Sequence, residues 1–217
     1  MQFKKIRAVI FDLDGTLADS LDVWDKIDYE FLEKKRGIRV PDDYVHKIAA
    51  MSFSETAEYT KRRFNLPDTT EELKNEWREM ALYEYKNNIK LKKGAGEYLK
   101  MLQRRGKKIV LCTSSPRFLY EPFLKNNGVY NLFDGFADTC AAKCGKTAPD
   151  VFLLAAQKAQ AAPVRCLAFE DVLSAAQCAK STGMAVCGVF DKRSARNKEK
   201  MQALCDMYIT EFAEISD

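Results

Sequence analysis

Four short apolar runs limit the folds open to this chain: Ala8-Val9-Ile10-Phe11, Lys108-Ile109-Val110-Leu111-Cys112, Cys166-Leu167-Ala168-Phe169 and Ala185-Val186-Cys187-Gly188-Val189. Each is strand-length and continuously apolar, which reads as a strand buried on both faces. Met207-Tyr208-Ile209 is a fifth candidate, and a further strand could pass through Gly135-Phe136-Ala137. Helical patterns at about 96–105, 117–126, 149–159 and 173–182 lie between them. Such alternation predicts a parallel sheet with helices on both faces. The first interval breaks the rhythm, because about 95 residues separate Phe11 from Lys108 and a simple crossover needs far fewer. That stretch is helical in pattern: Asp22 to Lys35, 42–50, Ser54 to Phe64, and about Thr70 to Asn88. Ser52 with Glu55, and Thr69 with Glu72, fit the capping box, and Pro67 breaks the chain between them. The expectation is an α/β core of residues 1–17 and 91–217, interrupted by an all-helical insert over 18–90.

Composition removes other classes. The 217 residues include 35 Lys+Arg against 31 Asp+Glu, with 47% hydrophobic and 30% charged residues, which is the profile of a globular protein. Residues 19–90 carry 13 basic and 16 acidic residues and the remainder 22 and 15, so the net +4 conceals an acidic insert in a basic core. With His46 as the single histidine, histidine-based catalysis and multi-histidine metal sites are poorly supplied, and carboxylates or cysteines must carry any chemistry. The seven cysteines are odd in number, lack a CxxC pair and mostly sit in apolar runs, so they read as reduced core residues. Cys140 and Cys144 could touch a metal, but two soft ligands without a third are a weak signal. The stretch Met1 to Arg7 resembles neither a signal peptide nor a membrane span, and with reduced cysteines this points to the cytoplasm.

The sharpest feature is Phe11-Asp12-Leu13-Asp14-Gly15-Thr16-Leu17, directly after the first strand. Carboxylates at i and i+2 of an extended backbone share a side, and two such charges repel unless a cation or a shared proton relieves them. Gly15 frees the backbone for a tight turn, and Thr16 adds a hydroxyl and an amide there. This heptapeptide resembles the first signature of the haloacid dehalogenase superfamily of phosphohydrolases. Three further signatures follow in order: Thr113 closing Ile109-Val110-Leu111-Cys112-Thr113-Ser114-Ser115, Lys146 in Gly145-Lys146-Thr147-Ala148-Pro149-Asp150, and Phe169-Glu170-Asp171. The insert after the first signature is similar to the C1 helical cap of the β-phosphoglucomutase-like branch. The resemblance implies a Rossmann-like core with an inserted helical cap, and covers nearly the whole core.

Ligands in open α/β sheets bind beyond the carboxyl ends of strands, so Asp12, Thr113 and Asp171 could converge despite their separation. A carboxylate approaching a phosphate monoester meets strong repulsion, and Mg²⁺, which takes carboxylate, phosphate and water oxygens, is the expected remedy. The resemblance makes Asp12 and Asp171 side-chain ligands, adds the backbone carbonyl of Asp14, and leaves Glu170 behind them or bridged by water. Asp12 is then the nucleophile and Asp14 the acid/base. Gly15, Thr113, the amide of Ser114 and Lys146 hold the phosphoryl group. Departures from the branch are Thr147 for a proline in the third signature, and Val172 and Ala175 where Ser and Gly are usual after the fourth.

Mutases of the branch keep a cap histidine and a Lys/Arg clamp for a second phosphate; at the matching places this chain has Trp24, Ala49 and Phe53. The expected activity is therefore a phosphatase for a small monophosphate, a sugar phosphate or nucleotide, with a sugar-phosphate mutase as the alternative. A non-catalytic phospholigand-binding module is a third reading, disfavoured by the intact Asp12, Asp14, Lys146 and Asp171. The loop 48–54 and Trp24 would set specificity, or simply pack within the cap. Asp14 argues against a dehalogenase. Schiff-base phosphonate cleavage needs a cap lysine, for which only Lys47 and Lys26 are near. The run Lys192 to Lys200 reads as a solvated helix face, so no nucleic acid or membrane partner is expected, and the protein should be a monomer or weak homodimer.

Overall fold

The computed structural model describes residues 5–48, 51 and 53–215, the side chains of Leu21 and His46 excepted. It divides into two units, residues 1–20 with 89–217, and residues 21–88. Among the described residues of the larger unit, six strands form one sheet: β1 (Ala8–Phe11), β2 (Lys108–Thr113), β3 (Gly135–Asp138), β4 (Cys166–Glu170), β5 (Ala185–Val189) and β6 (Met207–Ile209). Their order is β3-β2-β1-β4-β5-β6 and every pairing is parallel. The register sets Phe11, the last residue of β1, beside both Leu111 and Phe169, and β2 and β4 run two and one residues further, to Thr113 and Glu170.

Strand alternation divides the core into two layers. On one face Phe11 stacks on Phe169 at 4.9 Å between centroids, and Tyr98 and Phe212 close round them. Tyr98 belongs to α5 (Ala95–Arg104); further along this face Tyr120 of α6 (Arg117–Asn126) stacks on Phe136. On the other face Ala8, Ile10, Val110, Ala168 and Val186 meet α8 (Asp150–Lys158), α9 (Leu173–Ser181) and α10 (Lys198–Leu204). Alanines dominate this second interface, which lets helix backbones lie close to the sheet. A short α7 (Thr139–Ala142) follows β3. Beyond β1, two linker segments pair with each other: Asp19 N–H donates to the Lys90 carbonyl at 3.0 Å, and Lys92 N–H to that of Leu17 at 2.8 Å.

The smaller unit is helical: α1 (Leu21–Asp28), a π-helical segment (Tyr29–Lys34), α2 (Asp42–Ile48), α3 (Phe53–Phe64) and α4 (Thr70–Asn87). Thr69 caps α4 with the expected reciprocal box: its hydroxyl accepts from Glu72 N–H, and the Glu72 carboxylate accepts from Thr69 N–H at 2.7 Å. The other predicted box falls on Ser52, outside the described residues. The single helix expected over Asp22 to Lys35 is instead wound wider from Tyr29. Consecutive Phe31 and Leu32 are both fully buried there, which one stripe of a regular helix serves poorly. Arg36 fixes the exit: it donates to the Phe31 carbonyl at 3.2 Å, lies 3.8 Å over the Phe31 ring, and pairs with Asp68 and Glu76 at 3.0 and 2.9 Å.

Two sequence expectations need correction. Only Cys112, Cys166, Cys178 and Cys187 are buried; Cys140, on the four-residue α7, is exposed, and Cys144 and Cys205, on the bends that follow α7 and α10, are half-buried. The basic run from Lys192 is not one helix face: it is irregular through a 3-10 turn at Ala195–Asn197, and α10 starts only at Lys198. Among the described residues no helix is long and apolar enough to cross a membrane.

Candidate active site

The chain leaves β1 to build β2 and β3 on one side and returns as β4 on the other. Strand order therefore reverses at β1, which is where open α/β sheets leave a crevice beyond their carboxyl ends. Asp12 follows the last residue of β1, and its N–H donates to the Phe169 carbonyl at 3.0 Å. Thr113 closes β2, Glu170 closes β4, and Asp171 comes next. Residues up to 159 positions apart in sequence thus meet at one edge because three adjacent parallel strands carry their carboxyl ends to the same side of the sheet.

Asp12, Glu170 and Asp171 are buried, at 7%, 1% and 1% exposure, with one oxygen of each within 4.8 Å of the others. Among the described residues this is the one group that could hold a metal ion. Lys146 Nζ donates to Asp12 Oδ1 at 2.5 Å and to Glu170 Oε1 at 2.6 Å. Burial works against its charge, but the two carboxylates hold the ammonium far above its ordinary range. Burial, then the charges of Asp12 and Glu170, push the Asp171 carboxyl well above the usual carboxylate range. Burial also raises Glu170, against the pull of Lys146. One ammonium against three carboxylates leaves a formal deficit of two positive charges in a desolvated, all-oxygen site. A hard divalent cation such as Mg²⁺ fits both that charge and that donor set. Thr16, fully buried, donates its hydroxyl to Asp171 Oδ1 at 3.3 Å.

Asp14 keeps different company. Gly15 at φ +80° turns the chain, and the Leu13 carbonyl accepts from Thr16, Leu17 and Ala18 N–H at 3.2, 2.9 and 2.8 Å. The Asp14 carboxylate stands outside the metal-type group: Oδ1 accepts from Ser20 Oγ at 2.6 Å and Oδ2 from Ser115 Oγ at 2.5 Å. Thr113 Oγ1 accepts from Ser115 N–H at 2.9 Å and does not cap α6, whose N-cap position is Pro116. Ser114 between them is exposed. Ser20, Ser115 and the Thr16–Asp171 bond are the contacts the sequence did not single out; the hydroxyl-rich Thr113-Ser114-Ser115 was the available signal.

Within the smaller unit, Trp24 faces Tyr85 with ring centroids 6.4 Å apart. Phe53 meets Trp77 edge-on at 5.8 Å and lies under the Arg78 guanidinium. Both have packing partners in their own unit, while Ala49 lies outside the described residues. Lys26 donates to Glu84 at 2.6 Å, and that bond raises its pKa, the opposite of what a Schiff-base lysine needs. Lys47 pairs with Asp43 at the surface. The Cys144 thiol is pushed up by burial and Asp150, again opposite to a metal-bound thiolate, and no cysteine joins the metal-type group.

Comparison with known proteins identifies the family and the fold. A family model described as haloacid dehalogenase-like hydrolase matches residues 6–183. A phosphorylated carbohydrates phosphatase of Thermotoga maritima is 25% identical over 82% of this chain and 82% of its own. A β-phosphoglucomutase of Bacillus subtilis is 26% identical over 85% of this chain and 83% of its own. The crystal structure of CbbY from Rhodobacter sphaeroides superposes with a TM-score of 0.83, covering 97% of this chain and 96% of that one; at 20% identity the likeness concerns the fold.

Proposed function

The chain belongs to the haloacid dehalogenase-like hydrolases, and from that premise we propose that it is a Mg²⁺-dependent phosphatase acting on a small phosphate monoester, a sugar phosphate or nucleotide, through an aspartyl-phosphate on Asp12. The observation that carries the reading is the division of labour between the two aspartates: Asp12 sits in the cation-demanding cluster, whereas Asp14 is held apart by two hydroxyls. A hydrolase that loses an alcohol needs both a nucleophile and a separate proton donor; loss of halide would need only the first.

Asp12 and Asp171, with the Asp14 carbonyl and Glu170 behind them, are the residues that would hold Mg²⁺. Bound there, the ion supplies positive charge against which a carboxylate can approach a phosphate dianion. Lys146 adds a fixed ammonium beside the nucleophile, where its charge acts on both Asp12 and the phosphoryl group, and it cannot swing away while Glu170 holds it. Thr113 and the Ser114 amide receive phosphoryl oxygens at the end of β2. In the first step an Asp12 oxygen attacks phosphorus, the ester P–O bond breaks, and the proton of Asp14 passes to the departing oxygen. Water then attacks the phosphoryl group, gives its proton to Asp14, and Asp12 is released. Two displacements of modest difficulty replace one hard one.

With p-nitrophenyl phosphate and Mg²⁺, the purified protein should release phosphate, and Asp12→Asn should lose that activity by roughly 10³-fold or more. An Asp12→Asn protein as active as the parent removes the nucleophile assignment. The likeness to a β-phosphoglucomutase supports a second reading, phosphoryl transfer between positions of one sugar. A panel of monophosphates and bisphosphates separates the two: inorganic phosphate as product supports the phosphatase, while an isomeric sugar phosphate, or bisphosphates preferred by about tenfold (~1.4 kcal/mol), supports the mutase.

A further inference from the structure

Both oxygens of the Asp14 carboxylate are engaged by hydroxyls from different parts of the chain. Ser20 lies six residues on, where the chain leaves the core unit. Ser115 is 101 residues away, on the loop closing β2, and only 7% exposed. It does not cap a helix, because α6 begins beyond Pro116. What it does have is two bonds that join separate parts of the site. Its N–H donates to Thr113 Oγ1 at 2.9 Å, and its hydroxyl to Asp14 Oδ2 at 2.5 Å. A single three-residue turn therefore carries both the hydroxyl expected to hold phosphate and the donor that orients the acid/base.

We infer that Ser115 is a positioning residue for proton delivery to the leaving group. It locks the Asp14 carboxyl relative to Thr113, so that the proton of Asp14 lies at the departing oxygen once the phosphoryl group is seated. The inference rests on the acid/base role proposed for Asp14. A carboxyl with one oxygen released can rotate about its Cβ–Cγ bond, and ångström-scale misplacement of a catalytic group costs on the order of 10²-fold in rate. The cost should fall only where a proton is needed. An alkyl phosphate leaves as an alkoxide unless Asp14 protonates it, while p-nitrophenolate is stable enough to depart as the anion.

The test compares kcat/KM, which reports the first phosphoryl transfer, for p-nitrophenyl phosphate and for an alkyl phosphate such as a hexose 6-phosphate, in the Mg²⁺-loaded protein. Ser115→Ala should lose roughly 10- to 100-fold on the alkyl ester and less than about 3-fold on the aryl ester (under ~1 kcal/mol). Ser115→Thr, which keeps the hydroxyl, should restore the parent ratio of the two. Retained aryl turnover shows in the same assay that Ser115→Ala has folded with its nucleophile intact. Equal losses on both esters, or a ratio that Thr does not restore, would overturn the positioning role and leave Ser115 a packing residue. A parent protein inactive on both esters would instead strike the phosphatase reading itself.

Discussion

Lys146 shows how far one side chain's role depends on its neighbours. An ammonium buried alone would give up its proton, yet between Asp12 and Glu170 it is held charged. Removing it would strand two carboxylates in a site from which water is largely excluded, the costly way to break a buried pair. Tyr98 is the opposite case. Its ring packs against Phe11, Phe169 and Phe212, and its buried hydroxyl has no hydrogen-bond partner among the described residues, so the ring contributes packing while the oxygen contributes a desolvation penalty. Tyr98→Phe should therefore stabilise the protein, by about 1 kcal/mol, as measured by urea unfolding; a loss of similar size would mean that the hydroxyl is satisfied. At this scale the sequence was partly legible. Asp12, Lys146 and Asp171 stood in ordered signatures, and the structure brings them together. Ser20 and Ser115 did not stand out, because a serine acquires meaning only from what folding places opposite it.

Among the elements, the β5–β6 edge adds one side chain to its backbone ladder. Asp206 Oδ2 accepts from Val186 N–H at 2.8 Å and from Lys180 Nζ at 2.7 Å, tying β6 and α9 to β5. Burial raises its pKa, but Lys180 and the Val186 amide outweigh it, and the carboxyl ends below its ordinary value. A depressed carboxyl stabilises the fold above its unfolded pKa, near 3.9, and that contribution is lost as pH falls through the folded value. Asp206→Asn should thus be less stable than the parent at pH 6, with the gap shrinking by pH 3. Denaturant midpoints at the two pH values decide it, and a gap that widens in acid refutes the assignment. Strands were the most legible elements, since continuous apolar runs such as Ala8-Val9-Ile10-Phe11 have few other uses. The π-helical turn at Tyr29–Lys34 was not legible. Its cause is tertiary, the simultaneous burial of Phe31 and Leu32 with Arg36 clamped to Asp68 and Glu76, and no local periodicity reports that.

For the whole molecule, the uncompensated charge of the acidic cluster is a global liability that ligand binding can relieve. If Mg²⁺ is held by Asp12 and Asp171, the ion binds the native state alone and raises its stability, by about 2.7 kcal/mol at 100 times the dissociation constant. For a chain of this size that is a rise in Tm of roughly 5–10 °C. Asp171→Asn should lose most of the rise; a variant that keeps it would place the ion elsewhere. Thermal melts with and without Mg²⁺ read this directly, independent of turnover.

The parallel sheet also has a consequence in time. Its central strand is made first, but the neighbours that complete the site on either side come much later, and 155 residues separate Thr16 from its partner Asp171. At ordinary translation rates that interval lasts roughly 8–30 s. Through most of it the acidic turn after β1 has neither Lys146 nor β4 beside it, so the nascent chain carries Asp12 and Asp14 without the groups that surround them in the fold. If Asp12 is the nucleophile proposed above, chemistry becomes possible only when the later strands have paired on both sides of β1, and folding itself is the step that switches it on.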